Sequence, residues 1–387
     1  MFSTRTPSDL APNRLTLAEQ AARAAGARLI DLTETNPTRV GLDYPGRIAA
    51  ALAAPEALAY HPRPFGLPAA RERVAAEMAA AGAPVDPSRV ILTASTSEAY
   101  AYLFKLLCDP GDDVLVPVPS YPLFEHLTRL ELVAVRQYPL DFHGAWSIDA
   151  HAVEAAVTPR TRAILVVSPN NPTGSVVTRG DLASLAGLCA SRGIALVGDE
   201  VFCDYLVDPR PDRARVLDQQ DALTFSLGGL SKSAGLPQMK LGWIAAGGPA
   251  PLVEAALARL EIVCDTFLSV STPVQCAAGA LIEAGREVRA QILERVTTNL
   301  RGLQALAAAH PACSVLRVEG GWSAVVRVPA TRTEESLVLD LLERDHVLAH
   351  PGYFFDFPHE AFVVVSLLPP PAEFREGAAR LLARASA

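Results

Sequence analysis

The chain has 387 residues, of which 50% are hydrophobic and 20% charged, and its formal net charge at pH 7 is −8. This composition is typical of a folded globular protein, and the length suits two domains or one large α/β unit. The negative net charge gives no indication of binding to nucleic acid or to an anionic membrane, which are themselves negatively charged. Only Lys105, Lys232 and Lys240 are lysines, whereas 31 residues are arginines. Each lysine is therefore a candidate for a task that arginine cannot perform.

The six cysteines are scattered without a CxxC pair, which argues against a zinc site and for free thiols in a reducing compartment. The first residues contain no apolar run typical of a secretory signal. The longest uncharged stretch, 266–282, contains Ser, Thr, Pro and Gln and is a poor membrane span. We therefore expect a cytoplasmic protein.

Short apolar runs alternate with helical patterns in the middle of the chain. We predict helices at 97–107, 123–130 and 178–191, and strands at 90–93, 114–118, 163–167, 194–197, 223–227 and 241–246. Fully apolar strands of this kind are typical of a mostly parallel sheet with helices on both faces. The sequence therefore predicts an α/β fold, a three-layer sandwich around a mostly parallel central sheet.

The pattern changes after Pro249. We predict a helix at 251–263, a second helix that ends near residue 308, and further helices at 334–342 and after Pro371. The predicted strands are 314–318, 323–328 and 362–367. This order indicates a smaller α+β domain, onto which the weakly periodic first residues pack. We place the large domain at residues 46–250 and the small domain at residues 1–45 and 251–387.

Polar motifs follow several predicted strands, at the sheet edge where open α/β folds bind ligands. Ser95 and Thr96 begin a helix, where hydroxyls and free amides suit a phosphate, although a plain N-cap with a capping box explains them equally well. Tyr121 offers a ring that can stack on a flat ligand or pack in the core. Asn171 lies in Ser-Pro-Asn-Asn-Pro-Thr-Gly, which suits either a donor to a ligand oxygen or a rigid, possibly cis-bonded turn.

Three further residues follow the later strands. Asp199 ends a buried strand and needs a partner, for which a cationic ring nitrogen or a structural arginine would serve. Ser231 and Lys232 follow a Gly-Gly pair, and a lysine in a partly desolvated pocket has a lowered pKa and can form a Schiff base. The alternative for Lys232 is a solvated surface lysine. Lys240 can supply a second positive charge to a phosphate, whereas Lys105 is interpreted as structural.

Together these residue types describe a site for pyridoxal phosphate (PLP). The sequence resembles the fold-type I PLP enzymes, specifically the class I/II aminotransferases, from about Ile30 to the C-terminus. Asn171-Pro172-Thr173-Gly174, Asp199-Glu200 and Ser231-Lys232 carry the resemblance. It implies an exchange of an amino group between a small-molecule amino donor and a 2-oxo acid acceptor. It also implies a homodimer with active sites at the interface.

The resemblance implies a role for each matching residue. Lys232 resembles the Schiff-base lysine and proton shuttle, and Asp199 the partner of the pyridine nitrogen. The remaining implied contacts to the cofactor are Asn171 to its O3′ oxygen, Tyr121 stacked on its ring, Ser95, Thr96, Ser231 and Lys240 at its phosphate, and Tyr60 at the phosphate of the neighbouring subunit.

The chain departs from the family pattern at four positions. Phe202 replaces the usual tyrosine, so we expect the imine of Lys232 to have a raised pKa. Gly229 replaces a common phosphate-binding serine, and Lys240 replaces an arginine. Val364 stands where the family has the arginine that binds the substrate carboxylate, and an apolar residue cannot do so. Candidate substitutes are Arg39, Arg63 and Arg327, and an α-amino acid remains the default substrate.

An aminotransferase is the leading hypothesis. A PLP-dependent β-eliminating lyase of the same fold is the main alternative, because the same carbanion serves both reactions and the absent tyrosine and arginine are compatible with it. A PLP-binding regulator is disfavoured, because such proteins usually carry a DNA-binding domain and the N-terminal segment is neither long nor basic enough for one.

Overall fold

The computed structural model describes residues 2–208 and 210–387. Its helices are α1 (Arg14–Ala24), α2 (Arg47–Ala50), α3 (Pro68–Ala80), α4 (Thr96–Leu107), α5 (Leu123–Leu130), α6 (Ala150–Ala156), α7 (Arg179–Arg192), α8 (Leu230–Ser233), α9 (Ala250–Phe267), α10 (Thr272–Ala307), α11 (Glu334–Asp345) and α12 (Pro371–Ser386). Its strands are β1 (Ile30–Asp31), β2 (Val90–Thr93), β3 (Asp113–Val118), β4 (Ala134–Phe142), β5 (Trp146–Ile148), β6 (Thr161–Val167), β7 (Ala195–Asp199), β8 (Thr224–Gly229), β9 (Gly242–Gly247), β10 (Ser314–Val315), β11 (Ser323–Arg327), β12 (Val347–Leu348), β13 (His350–Pro351) and β14 (Phe362–Ser366).

An eight-stranded sheet in the order β2-β9-β8-β7-β6-β3-β4-β5 forms the centre of the molecule. The five strands from β8 to β4 run parallel, whereas β9 is antiparallel to both of its neighbours and β5 is antiparallel to β4. The predicted mostly parallel sheet is therefore confirmed. Because β2, β3, β6, β7 and β8 point the same way, their carboxyl ends meet at one edge.

Helices cover both faces of this sheet, because successive side chains of a strand point to opposite faces. Ile164 and Leu196 pack with α6 and α7 on one face, and Leu165 and Val197 pack with α4, α5 and α9 on the other. Each of these buried aliphatic side chains contributes about 2 kcal/mol to stability. The predicted three-layer sandwich is confirmed.

The C-terminal third of the chain builds a second, four-stranded antiparallel sheet in the order β10-β11-β14-β13. The helices α10 and α12 pack on one of its faces around Val363 and Val365. The N-terminal strand β1 pairs in parallel with β12, through Ile30 opposite Val347. The domain boundaries at residues 45/46 and 250/251 stay predictions.

The predicted elements differ from the structure in several regions, and no helix was predicted where α1 and α3 lie. The strands β4 and β5 and the helix α6 had no counterpart among the predictions, because β4 is mostly exposed or half-buried and contains Pro139 and no apolar run. The stretch 266–282 is not a separate segment, because α10 begins at Thr272 and continues for 36 residues. Leu268, in the left-handed conformation, ends the preceding helix α9.

Among the residues described, no helix combines the length and the apolar character that crossing a membrane requires.

Candidate active site

A cavity of about 300 Å³ opens at the carboxyl ends of the parallel strands. It brings together nine of the residues that the sequence singled out: Ser95, Thr96, Tyr121, Asn171, Asp199, Phe202, Ser231, Lys232 and Lys240. These residues lie in six connections spread over 146 positions of the chain. They meet in one cavity because the parallel strands end at one edge of the sheet, where ligand groups gather.

The helix α4 begins at the cavity wall. Ser95 is its N-cap, with Oγ accepting a hydrogen bond from the Glu98 amide at 3.1 Å, while the Glu98 carboxylate accepts one from the Ala94 amide at 2.6 Å. The N-cap interpretation of this motif is therefore correct, whereas the reciprocal bond of a capping box is absent, because Glu98 binds the Ala94 amide and not that of Ser95. Ser95, Thr96 and Ser97 nevertheless line the cavity, and the first amides of a helix carry a partial positive charge. The same turn both caps α4 and offers an anion-binding surface.

Tyr121 follows β3 and borders the cavity with a ring that is 45% exposed. A tyrosine that packed in the core would be buried, so the core-packing alternative does not apply. Burial of the hydroxyl, reinforced by the charge of Asp199, raises the pKa of Tyr121 and keeps it protonated. Its ring is available to a flat ligand.

Asn171 follows β6 in a turn whose peptide bonds before Pro169 and Pro172 are both cis, as the sequence suggested. Its Oδ1 accepts a hydrogen bond from Ser323 Oγ at 3.3 Å, which leaves the amide N–H groups to donate. The preceding Asn170 shapes the turn, with Oδ1 accepting from the hydroxyl of Thr173 at 3.0 Å.

Asp199 and Glu200 are neighbours in the chain with opposite surroundings. Asp199 Oδ2 accepts a hydrogen bond from the Tyr100 hydroxyl at 3.0 Å, and Oδ1 accepts one from the Val201 amide at 3.2 Å. Glu200 is instead bound by Arg215 at 2.9 Å. The structural arginine that the sequence allowed for Asp199 thus belongs to Glu200, and Asp199 faces the cavity. Burial raises the pKa of Asp199 to about 6.

Lys232 lies on the single turn α8, which follows β8. Its Nζ is 4.8 Å from the centre of the Trp322 ring and 5.5 Å from that of Phe202. Burial lowers the pKa of Lys232, although the charge of Asp199 opposes the shift. The surface-lysine alternative is therefore wrong for Lys232. Lys105 does have the expected structural role, because its ammonium pairs with Glu131 at 2.5 Å and lies over the Phe267 ring.

The departures at Gly229 and Lys240 lie together at the cavity wall. Gly229 packs so closely that an added Cβ would come within 3.2 Å of the Gly242 Cα atom, so β8 and β9 leave little room for a serine there. Lys240 adopts the left-handed conformation with φ of 53°, and its exposed side chain lines the same cavity as Ser95.

Several candidates lie outside the cavity. Tyr60 is 70% exposed and lines a separate small pocket with Arg63. Arg39 and Arg327 are exposed and, like Arg63, are absent from the cavity wall that the described residues form. Val364 is 3% exposed and packs in an aromatic cluster with Trp146, Phe355 and Phe357.

Sequence reasoning missed other residues that build the site. Tyr100 reaches Asp199 from α4, and Thr96, Tyr100 and Phe104 recur every four positions on one face of that helix, which was an available signal. Trp322 and Ser323 line the cavity after a Gly-Gly pair, a placement similar to that of Lys232. Thr35 also lines it but lies in a stretch without periodicity.

Comparisons with known proteins identify the family of the chain. The family model described as "Aminotransferase class I and II" matches residues 29–381. The glutamate-pyruvate aminotransferase AlaA of Escherichia coli K12 is 26% identical over 352 residues, which cover 88% of this chain and 87% of AlaA. An alanine aminotransferase of Mycobacterium tuberculosis is 28% identical over 355 residues, or 88% of this chain and 82% of its own.

The solved structures agree on the fold. An alanine aminotransferase from Pyrococcus furiosus superposes with a TM-score of 0.87 and 24% identity, covering 99% of both chains. The fold and the family match together define a class of enzyme. The chain belongs to the class I and II aminotransferase family. It is therefore a transaminase, and the family implies PLP as its cofactor.

The residues present fit that cofactor. Hydroxyls, helix amides and the Lys240 ammonium suit a phosphate. An added Cβ on Gly242 would lie 3.1 Å from the Ser95 carbonyl carbon, so the backbone there is crowded and only a glycine leaves the wall open. Asp199 suits a cationic ring nitrogen, and Lys232 is an amine whose lowered pKa favours covalent attachment to a carbonyl.

Proposed function

We propose that this transaminase holds PLP through Lys232 and transfers an amino group between an amino acid or amine and a 2-oxo acid. The observation that carries the proposal is the joint placement of Lys232 and Asp199 in one cavity that also contains the start of α4. When bound, the cofactor supplies an aldehyde carbon for attachment and a ring that accepts the electron pair released at the substrate α-carbon.

The phosphate end of the proposed site is formed by the start of α4 and the turns around α8. Ser95, Thr96, Ser231 and Lys240 line the cavity. The first three would donate hydrogen bonds to a phosphate from hydroxyl or amide groups, and Lys240 would add a point charge. Since lysine cannot form the bidentate fork of arginine, we expect Lys240 to contribute affinity with little orientation. The glycines at 229 and 242 would let the backbone approach a bound phosphate closely.

The ring end is formed by three side chains. With the cofactor bound, Asp199 would hold a proton at the pyridine nitrogen, Asn171 would donate a hydrogen bond to O3′, and Tyr121 would stack on the ring. Phe202 borders the same cavity without a hydroxyl, so O3′ has one donor fewer. We therefore expect the covalent linkage to Lys232 to keep its proton to a higher pH than a tyrosine at this position would allow.

Lys232 moves the proton in the proposed reaction. Its lowered pKa leaves a larger fraction of the amine neutral, which is the form that attacks a carbonyl and accepts a proton. With the cofactor bound, the free amine of Lys232 would take the proton from the substrate α-carbon and would return it at the C4′ carbon. The Trp322 and Phe202 rings, with centres 4.8 and 5.5 Å from Lys232 Nζ, provide an apolar surface beside this path.

The substrate carboxylate lacks an arginine partner in the cavity wall that the described residues form. We keep Arg39, Arg63 and Arg327 as candidate partners, with Arg63 favoured because it shares a pocket with Tyr60. We propose that Tyr60 reaches the phosphate of a second subunit in a homodimer. Its exposure of 70%, beside Leu58 at 93%, supports an interface there. Sedimentation of the purified protein should then give twice the mass of the chain.

The attachment point is tested by reducing the PLP-loaded protein with borohydride and mapping the modified lysine by mass spectrometry. The chain offers a matched control, because Lys105 is a partly buried lysine outside the site. Lys232→Ala should lose both the near-visible absorption band and the modification, whereas Lys105→Ala should keep both. A modified residue other than Lys232 would overturn the proposal.

The reaction is tested by adding single amino donors to the loaded protein. L-glutamate, L-alanine and a panel of amines should convert the near-visible band to a near-ultraviolet one and release the matching oxo product. Single substitutions of Arg39, Arg63 and Arg327 by Met then identify the carboxylate partner, as a raised KM for amino acids but not for amines. Release of pyruvate with ammonia from a cysteine conjugate, without the band shift, would support elimination instead.

A further inference from the structure

The Tyr100 hydroxyl is the only side-chain hydrogen-bond donor to Asp199 among the described residues. It donates to Oδ2 at 3.0 Å, while the Val201 amide donates to Oδ1 at 3.2 Å. Each carboxylate oxygen is therefore fixed from the protein side, and each keeps a further lone pair for a ligand. This arrangement sets the plane of the carboxylate before any ligand is bound.

The Tyr100 ring is held by its neighbours on two helices. It stacks on Phe104 of α4 with ring centres 5.9 Å apart, and it meets Phe124 of α5 edge-on at 5.3 Å. Tyr100 is 3% exposed, so its hydroxyl is shielded from hydrogen bonding with solvent. Because a buried hydroxyl without a partner is unfavourable, the hydrogen bond to Asp199 is the stable state of this side chain.

Four titratable groups act on or face the Asp199 carboxylate: Tyr100 from α4, Lys232 from α8, Tyr121 after β3 and Glu200 in the chain itself. Burial raises the pKa of Asp199 to about 6, the negative charge of Glu200 adds to this, and Tyr100 and Lys232 oppose it. Burial and the Asp199 charge also raise the pKa of Tyr100 well above its usual value, so Tyr100 stays a donor.

We propose that Tyr100 is a positioning residue that, by stabilising the Asp199 anion, keeps the shared proton on the pyridine nitrogen rather than on the carboxylate. The inference rests on the proposed role of Asp199 opposite that nitrogen. An anion that accepts a hydrogen bond is a weaker base, so the proton stays with the ring. Without the hydroxyl, Asp199 becomes more basic and the proton moves toward it.

The test replaces Tyr100 by phenylalanine, which removes the hydroxyl and keeps the ring. Tyr138→Phe is the matched control, because Tyr138 is equally buried and its hydroxyl donates to the Leu165 carbonyl at 2.7 Å, away from the site. The readout is nitrogen NMR of the holoenzyme loaded with PLP that is isotope-labelled at the ring nitrogen. In Tyr100→Phe the resonance should move toward that of neutral pyridine, and in Tyr138→Phe it should stay at the wild-type position.

Kinetics and a second replacement complete the test. Half-transamination by Tyr100→Phe should slow roughly tenfold at unchanged KM, which is the loss expected when one hydrogen bond to a charged group is removed. Site-specific replacement of Tyr100 by a ring-fluorinated tyrosine, which is a stronger donor, should move the resonance the other way. If the phenylalanine variant does not fold, the fluorinated variant still tests the role of the Tyr100 hydroxyl.

A ring-nitrogen resonance that is unchanged in both Tyr100 replacements would overturn the inference, and so would an equal shift in Tyr138→Phe. Failure of the proposed function looks different. In that case wild-type protein forms no borohydride-reducible linkage at Lys232, and no resonance of a bound cofactor is observed.

Discussion

The Tyr205 hydroxyl donates a hydrogen bond of 2.5 Å to the backbone carbonyl of Lys232. Tyr205 is fully buried and also packs edge-on against Trp322, with ring centres 5.1 Å apart. Tyr205 therefore holds the Lys232 backbone through its hydroxyl and also packs against Trp322, the ring beside the Lys232 ammonium. The short turn α8 has a second side-chain support at its end, where Arg289 Nε donates to the Ser233 carbonyl at 2.6 Å.

Tyr205→Phe should therefore lower both stability and activity. Loss of a hydrogen bond to a buried carbonyl costs about 1–3 kcal/mol in the free energy of unfolding. Urea denaturation measures this loss, and Tyr138→Phe should show a similar one. Only Tyr205→Phe should also slow the reaction of Lys232 with PLP, measured as the rate at which the near-visible band appears. Equal rates in the two variants would contradict the role of Tyr205.

Asp199→Asn should stabilise the protein without cofactor at alkaline pH. The pKa of Asp199 rises from 3.8 to about 6 on folding, so its contribution to stability is full below pH 4 and is lost as the pH rises through 6. The ionised carboxylate should then cost the folded protein about 1–3 kcal/mol at pH 8. Urea denaturation at pH 4 and pH 8 tests this. The difference between variant and wild type should appear only at pH 8, and the exposed-site control Asp265→Asn should show none.

Arg215→Met should be strongly destabilising, because it leaves Glu200 buried without its cation. The Glu200 side chain is 2% exposed and that of Arg215 16%. Breaking a buried pair from one side costs about 3–5 kcal/mol. The exposed pair of Arg192 and Glu154 provides the control, since Arg192→Met should change stability by less than about 1 kcal/mol. Adding Glu200→Gln to Arg215→Met should recover part of the loss, and no recovery would argue against charge burial as the cause.

Gly229→Ser restores the residue that the family usually has, yet it should weaken this protein. The added Cβ would lie 3.2 Å from the Gly242 Cα and 3.3 Å from the Leu241 carbonyl oxygen, and neither backbone atom can move freely. We expect a loss of about 1–3 kcal/mol in stability and weaker PLP binding. Gly302→Ser is the control, because an added Cβ there meets nothing within 4 Å. Tighter PLP binding by the serine variant would contradict the crowding.

Val364→Arg should not create a carboxylate site. Val364 is 3% exposed and is surrounded by Trp146, Leu316, Val325, Phe355 and Phe357, which offer no partner for a guanidinium. The buried charge should cost at least about 3 kcal/mol. Val364→Met tests the volume change alone and should cost less than about 1.5 kcal/mol. A stable arginine variant with a lower KM for amino acids would show that the cluster opens.

The sequence predicted most of the central sheet, and the reason is visible in particular strands. β2 and β6 are short apolar runs buried on both faces, and such runs differ clearly from the helices between them. The polar motifs after these strands could be placed at one edge because parallel strands share a direction. β4 was not predicted, because it lies near the margin of the sheet and has mixed polar and apolar side chains around Pro139.

Site residues could be predicted from the sequence where the residue type itself indicates a chemical role. They could not be predicted where tertiary packing alone brings a side chain to the site. Lys232 and Asp199 stood out by residue type and strand position. Tyr100 did not, because a tyrosine inside an amphipathic helix is compatible with a core role, and only the packing of α4 on the sheet brings its hydroxyl to Asp199. The approach of Gly229 to Gly242 likewise depends on how β8 and β9 pair.

The cavity wall runs from Thr35 to Ser323, and β11, which carries Ser323, pairs with β14 as far as Ser366. Contacts this distant in sequence form late, because a long loop must close before they are made. During synthesis the chain must therefore leave the ribosome at least as far as Ser366 before a complete binding site exists. A chain truncated after Lys232 but before Trp322 and Ser323 would therefore present the amine without the later residues that line its cavity.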